Sequence, residues 1–325
     1  MANDCVTDVF EEHRTVLMGV AYRMLGRVAD AEDVVQESWL RWSAADQERV
    51  REPRAYLVRV TTRLAIDRLR HVQSRRESYV GPWLPEPLVT DYGPTEPDTA
   101  EQAVLADSVS FAVLVVLESL SPLERAVFVL REAFGFPFSD IAATLERGEP
   151  AVRQLAARAR KHVGEGRPRY AVDPGERRDL TERFLAAATS GDLDGLMSLL
   201  APDVRLVGDS GGKAKAPLRV IEAADKVGRF LVGAARGGVP EGAELGARFL
   251  EINGADSVLV LVDGKPDSLF QLAVVDGRIS DVYIIRNPDK LVGFASWTAD
   301  GRPPSTQGGG SVLFATRAWT DANNT

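Results

Sequence analysis

One stretch limits how the whole chain can fold. Between Arg76 and Arg125 there is no lysine or arginine, and residues 78–100 read SYVGPWLPEPLVTDYGPTEPDTA. Proline removes a backbone donor and clashes in a helix interior, so neither a helix nor a central strand runs through such a stretch. It is a linker by composition, extended where its prolines cluster. At 325 residues the chain has room for two or three domains. A flexible linker has little use for a tryptophan, so Trp83 is expected to dock on a folded surface.

Apolar residues make up 45% and charged residues 26%, as in ordinary globular protein. Cys5 is the single cysteine, which excludes an internal disulfide and fits a reducing compartment. No N-terminal apolar run resembles a signal peptide and no stretch is long enough to span a bilayer. A soluble cytoplasmic protein is the expectation. The net charge of -8 taken alone argues against a nucleic-acid partner. The charge is segregated, however. The span from Glu77 to Glu124 is acidic and arginine clusters flank it on both sides, so local basic surfaces are available to a phosphate backbone.

Residues from about Asp8 to Gln73 read as helices. In DAEDVVQESWLRW (30–42), Ala31, Val35, Trp39 and Trp42 fall on one side at ~100° per residue, with Val34 at its edge. Asp30, Asp33, Glu37 and Arg41 form a separate stripe, and Gln36 and Leu40 lie beside the acids. Such a stripe is either a solvated face or a docking face for a basic partner. The helix that opens at Pro53 places Leu57, Val60, Thr61, Leu64, Ala65 and Val72 on one face. Arg59, Arg63 and Arg70 lie opposite with Tyr56 beside them, a pattern that suits phosphates and an exposed base or, equally, a solvated arginine face. Arg68 departs from the division by projecting toward the apolar side.

Ser121, Pro122 and Glu124 form a helix-start signature with a capping box. Ser139 is read as the cap of a short helix carrying Ile141, Ala142 and Leu145. Arg147, Gly148 and Glu149 are read as a turn, and Pro150 as the opening of a second helix. This is the rhythm of a helix-turn-helix. The second helix has an apolar back (Val152, Leu155, Ala156, Ala159, Val163). Its front carries Arg153, Gln154, Ala157, Arg158, Arg160 and Lys161, the layout that a recognition helix needs. A second linker ends near Glu176. A helix with Leu180, Phe184, Leu185 and Ala188 then leads into alternating segments separated by Asp263-Gly264 and Asp276-Gly277 turns. Helices followed by a curved antiparallel sheet predict an α+β cone. From Gly293 onward the chain reads as a mobile tail.

Three segments carry a resemblance. DAEDVVQESWLRW resembles the region-2 core-binding helix of sigma factors. RAYLVRVTTRLAIDRLR (54–70) occupies the place of the region-2 segments that open and read the −10 element. LSPLERAVFVLREAFGFPFSDIAATL (120–145) with AVRQLAARARK (151–161) resembles region 4, which reads the −35 element. In order and spacing these resemble an extracytoplasmic-function (ECF) sigma factor over about half the chain. The rest resembles the ECF41 group, which carries a SnoaL-like extension of the NTF2-like fold and is marked by WLPEP, DGGGK and NPDKL motifs. WLPEP stands at 83–87 and NPDKL at 287–291. DSGGK stands at 209–213, with Ser210 in place of a glycine. A φ above zero there would strain the serine.

The resemblance implies a multidomain fold: two all-α sigma domains (a region 2 helical bundle and a region 4 helix-turn-helix) followed by an α+β NTF2-like/SnoaL-like cone. The boundaries expected are region 2 at 1–77, linker at 78–100, region 4 at 101–167 and linker at 168–176. The regulatory domain is expected at 177–292 and the flexible tail at 293–325. It implies core-polymerase binding by Asp30, Asp33, Gln36, Glu37 and Leu40, against a basic coiled coil on the largest catalytic subunit. It implies DNA binding by Tyr56, Arg59, Arg63, Arg70, Arg153, Gln154, Arg158, Arg160 and Lys161. Regulatory interdomain roles fall to Trp83, Pro85, Asp209, Gly211, Gly212, Lys213, Asn287, Pro288, Asp289 and Lys290.

The leading function is a promoter-specificity subunit of RNA polymerase, with no catalytic residue, no cofactor and no metal. Its partners are core polymerase and promoter DNA, with no membrane, and its own C-terminal domain modulates it. A small-molecule ligand in that domain is the second reading. A SnoaL-type enzyme is the third, but His13, His71 and His162 all lie outside the domain, leaving only carboxylates such as Asp203 or Asp209 as acid or base. A conventional repressor using the helix-turn-helix alone leaves the acidic helix and the arginine helix without a use.

Overall fold

The computed structural model describes residues 2–76, 78–88, 110–166, 174–237, 242–297 and 311–312. The chain divides into two compact units, one joining residues 1–78 to 96–167 and the other joining 79–95 to 168–325.

The described residues of the first unit are helical or in loops. α1 (Ala2–Leu25), α2 (Val28–Ser43) and α3 (Pro53–Arg76) pack on one another around Phe10, Leu17, Tyr22, Val35, Trp42, Leu57 and Leu69. Ser38 Oγ on α2 and Thr61 Oγ1 on α3 share a hydrogen bond of 2.9 Å. One expectation for α2 is corrected. Asp30 does not sit on the exposed stripe but is 7% exposed. Arg68 donates to its Oδ1 through Nε at 3.1 Å and Nη2 at 2.7 Å, and also reaches Asp33 Oδ2 at 3.0 Å. A helical wheel gives an angle, not the neighbour that arrives at it. The neighbour here is the one arginine of α3 that broke its helix pattern, and it projects inward because it fastens α3 to α2.

α4 (Phe111–Leu117), α5 (Pro122–Phe128), a π-helical turn (Val129–Ala133), α6 (Phe138–Leu145) and α7 (Glu149–Gly166) complete this unit's described helices. The capping box at Ser121 is formed: Glu124 N–H donates to Ser121 Oγ, and Ser121 N–H to Glu124 Oε2, each at 3.3 Å. The Ser121 hydroxyl hydrogen bond also holds the Glu124 carboxyl below its ordinary range. Ser139 does not cap α6. Pro137 holds the cap position and Ser139 lies inside the helix, bonded to Asp140. The turn after α6 begins at Glu146, left-handed with φ 52°, and Glu149 is already the first residue of α7. α7 buries Val152, Ala156, Ala159 and Val163.

The second unit is built on a sheet in the order β2-β1-β6-β5-β4-β3-β7. Its long strands are β1 (Leu200–Asp209), β3 (Leu245–Ile252), β4 (Ala255–Val262), β5 (Lys265–Val275) and β6 (Arg278–Ile285). β2 (Ile221–Glu222) and β7 (Ser311–Val312) are two-residue edge strands. β1 runs parallel to β6 and the other pairings are antiparallel. The Asp263-Gly264 and Asp276-Gly277 turns take φ of 50° and 71° at both pairs, as a two-residue type I′ hairpin requires, and Asn253-Gly254 makes a third such turn. α8 (Pro174–Ser190), α9 (Leu193–Leu199) and α10 (Ala224–Gly237) cover one face through Leu180, Phe184, Leu196, Val227 and Leu231.

Strand alternation puts Leu250, Ile252, Leu259, Leu269 and Ile285 on the other face, and these are buried too. Leu88 N–H donates to Asn253 Oδ1 at the end of β3, and Asn253 N–H donates back to Leu88 O. The 3₁₀ helix Val292–Trp297 packs on β5. The expectation of a mobile tail from Gly293 is amended accordingly: Phe294 is 1% exposed, and Ser311 and Val312 pair with β3. The remaining tail residues, 298–310 and 313–325, lie outside the described ones.

Replacing Arg68 with leucine leaves the Asp30 carboxylate buried without its principal partner. We expect a loss of about 1–3 kcal/mol in the stability of the first unit. Urea unfolding followed by helical circular dichroism measures it, and a change within about 0.5 kcal/mol, the range of an ordinary surface substitution, would contradict the assignment.

Candidate functional surfaces and the linker anchor

Four groups of side chains were singled out from the sequence. On α2, Asp33, Gln36 and Glu37 are exposed, and Leu40 is 59% exposed, one of the largest apolar exposures among the described residues. Glu37 pairs with Arg41 at 2.7 Å, an exposed i,i+4 bridge of small worth. Asp30 leaves this group because α3 covers it.

On α3, Arg70 is exposed and pairs with Asp67 at 3.1 Å. Two of these side chains have neighbours that a helical wheel does not show. Tyr56 is half-buried against Trp42, with ring centroids 5.8 Å apart. Arg63 is turned onto the end of α6, where its Nε donates to Thr144 O at 2.8 Å and its Nη2 lies 2.9 Å from Glu146 Oε1. The last carbonyls of a helix have no intrahelical donor and carry partial negative charge, so a guanidinium settles there. Arg59 lies over the Tyr56 ring at 5.7 Å. Arg51, Tyr56, Arg59, Phe136, Ile141 and Thr144 help line a cleft of about 520 Å³ inside this unit.

On α7, Arg153, Gln154, Arg158, Arg160 and Lys161 are all exposed on one side. Arg153 pairs with Glu149 at 2.5 Å and stands 4.6 Å from the Phe138 ring centroid. Arg158 pairs with Glu124 at 2.9 Å and Arg160 with Glu132 at 2.8 Å. Exposed pairs of this kind exchange readily for phosphate contacts.

The fourth group lies wholly within the second unit. β1 ends at Asp209, which is fully buried. Its carboxylate accepts from Tyr79 OH at 2.5 Å, Leu84 N–H at 2.8 Å and Lys290 Nζ at 2.6 Å. Lys290, 3% exposed, also donates to Leu84 O and stands 3.3 Å from the Trp83 ring centroid. Asn287 Nδ2 donates to Tyr79 OH at 2.8 Å. Burial, then the hydrogen bond to Asp209, push the Tyr79 phenol well above its ordinary range. Pro85 is buried, Trp83 half-buried. Pro288 opens the 3₁₀ turn that carries Lys290 inward, and Asn287 caps it by accepting from Asp289 N–H at 3.1 Å. Asp289 pairs with Lys213 at the surface.

The glycines of DSGGK have a steric reason. Gly211 and Gly212 take φ of 57° and 74°. A Cβ on Gly211 would lie 2.7 Å from Asn287 Nδ2 and 2.9 Å from Tyr79 OH. Ser210 is not among the positive-φ residues, so it is unstrained; its Oγ accepts from Gly212 N–H at 3.3 Å. The three motifs, at 83–87, 209–213 and 287–291, thus form one interlocked site. Tyr79, the hinge of that network, carried no signal in the sequence beyond its place beside WLPEP.

Among the described residues no group of three histidine, cysteine, aspartate or glutamate side chains is placed to hold a metal ion, and no helix is long and apolar enough to cross a membrane.

Residues 9–76 match Sigma-70 region 2, and residues 110–163 match Sigma-70, region 4. The ECF RNA polymerase sigma factor SigJ of Mycobacterium tuberculosis (strain H37Rv) is 42% identical over 295 residues, 87% of this chain and 92% of the relative. The chain belongs to the ECF RNA polymerase sigma factors. A probable ECF sigma factor of the same organism, SigI, is 32% identical over 89% of this chain and 96% of its own length. The crystal structure of SigJ superposes with a TM-score of 0.69 at 38% identity, covering 88% of this chain and 98% of that one. For this sigma factor, the fold class expected from sequence stands: helical sigma domains followed by an α+β domain with a mixed sheet. α1 to α3 are region 2, and α4 to α7 are region 4.

Removing one partner of the Asp209–Lys290 pair leaves the other charged and buried. We expect Lys290→Met and Asp209→Leu each to destabilise the second unit by about 3–5 kcal/mol. The double substitution should cost less than the two singles together, by at least about 1 kcal/mol. Thermal or urea unfolding of the four proteins measures this coupling, and additive losses would contradict it.

Proposed function

We propose that this sigma factor recruits core RNA polymerase to promoters in the cytoplasm and supplies no chemistry of its own. Asp33, Glu37, Gln36 and Leu40 of α2 dock on a basic coiled coil of the polymerase's largest subunit. Asp30 supports this face from beneath by holding α3. The observation that carries the reading is the exposure of Leu40. Leu40 stands 59% exposed beside the open Asp33, Gln36 and Glu37, on a helix that buries Val34, Val35 and Trp42, and this face lies within the segment that matches Sigma-70 region 2. The α3 arginines engage the −10 element, and the outer face of α7 engages the −35 element.

The C-terminal unit acts on this process by holding the linker. What supports that role is the direct bonding of Asp209 and Lys290 to Leu84 of WLPEP. No separate protein is needed for such control, because the regulator lies in the same chain.

Run-off transcription with purified core polymerase tests the reading and maps the promoter. The full-length protein is expected to direct discrete start sites. Reversing Asp33 and Glu37 to lysine should weaken association with core by roughly tenfold or more through charge repulsion, with helical content unchanged. Unchanged affinity would return α2 to a solvated face.

A further inference from the structure

The cleft of about 520 Å³ inside the first unit has the size and lining of a small-molecule site. Its apolar part is Val58, Leu130 and Ile141, all buried. Tyr56 and Phe136 add two half-buried rings, and Arg51 and Arg59 add two guanidinium groups. Arg63, Arg68 and Arg70, further along α3, each pair with a carboxylate. Arg51 and Arg59 pair with none among the described residues. Arg59 instead stands over the Tyr56 ring, 5.7 Å from its centroid.

The loop that supplies Phe136 is tied down. It follows the π-helical turn Val129–Ala133, a kind of turn concentrated at functional sites. Phe136 N–H donates to Leu130 O at 3.0 Å, and Phe136 O accepts from Arg131 Nη1 at 2.9 Å. Arg54 stands 5.3 Å from the ring centroid. The result is a ring held half-open in the cleft wall, where a side chain of its kind is ordinarily buried. The cleft also takes in Ala55, in the first turn of α3. The first N–H groups of a helix have no intrahelical acceptor and favour an anion, which adds to the charge of Arg51.

We propose that this cleft binds a free nucleoside monophosphate. The phosphate goes to Arg51 and Arg59, whose charges no protein carboxylate takes up. The base stacks on Phe136 or Tyr56, since every base has a face that an aromatic ring can meet. Glu52 and Asp140, also in the lining, accept from the sugar hydroxyls. An apolar floor with a few polar groups at its edge is what holds a ligand of this size in one orientation. The site joins the start of α3 to the segment between α5 and α6, so an occupant stabilises the unit as a whole. None of this requires polymerase or promoter DNA.

Isothermal titration calorimetry of the full-length protein tests it, with adenosine 5′-monophosphate, guanosine 5′-monophosphate, adenosine and inorganic phosphate as probes. At least one of the two nucleotides should saturate a single site, about tenfold more tightly than adenosine or phosphate alone. Arg51→Ala and Phe136→Ala should each weaken that nucleotide about fivefold or more. Phe136→Tyr keeps the ring and should stay within about twofold of the parent protein, which separates lost stacking from lost folding. Saturation by neither nucleotide overturns the proposal. So does phosphate that binds as tightly as the nucleotide, which would report charge alone, and so does an affinity unchanged in both alanine variants. A single strand of arbitrary sequence, about ten bases long, is the last arm. Its binding should not respond to Phe136→Ala; a strand that binds more tightly than the nucleotide and is weakened equally by that substitution would give the cleft to nucleic acid and end the proposal.

Discussion

The hydrogen bonds around Asp209 are the constraint on which the second unit depends. Burying a carboxylate and an ammonium is expensive, and their attraction repays it only when the remaining lone pairs and protons find partners. Here they do. Tyr79 OH, Leu84 N–H and Lys290 Nζ all donate to the Asp209 carboxylate, while its backbone carbonyl accepts from Arg286 and Asn287. Such a network is weak evidence for stability, since its cost of desolvation offsets much of its attraction, but it tolerates few alternatives. A one-residue slip of the linker would leave the buried Asp209–Lys290 pair without its Tyr79 and Leu84 partners. The pair therefore sets the register in which residues 79–88 lie on the sheet. That segment is part of the domain's fold rather than a tether beside it.

The first unit uses charge differently. Its ion pairs are mostly exposed and individually weak, as at Arg63–Glu146, Arg158–Glu124 and Arg160–Glu132. The buried exceptions, Arg125 with Glu118 and Asp30 with Arg68, keep helices in place. The buried pairs hold helices to one another, and the exposed ones can be exchanged at little cost.

Much of this was legible in the sequence because it depends on local rules. The capping box at Ser121, the Asp-Gly hairpin turns, and the buried and exposed faces of α2 and α7 follow from period and turn chemistry. The misreadings share a different origin. Asp30, Tyr56 and Arg63 sit at the expected angles on their helices, but each meets a neighbour there (Arg68, Trp42 and the end of α6), and a wheel holds no neighbours. Ser139 looked like a cap, yet Pro137 already supplies the extended residue that starts α6. Residues beyond Gly293 looked like a tail because their composition is poor in periodicity, although Phe294 is buried and the turn that carries it packs on β5. For the linker, composition predicted extension and Trp83 predicted docking. The partners, Asp209 and Lys290, lie too far away in sequence to be read without the family motifs.

Amide hydrogen exchange in the full-length protein tests most directly whether the linker belongs to the C-terminal fold. Leu84 and Leu88 supply the diagnostic N–H groups, because both donate to side chains of the second unit, Asp209 and Asn253. They are expected to exchange as slowly as the β6 amides around Val282 and Ile284, opening only when the whole unit unfolds. Exchange at the rate of an unprotected chain, while β6 stays protected, would show the linker to be free and would contradict the account.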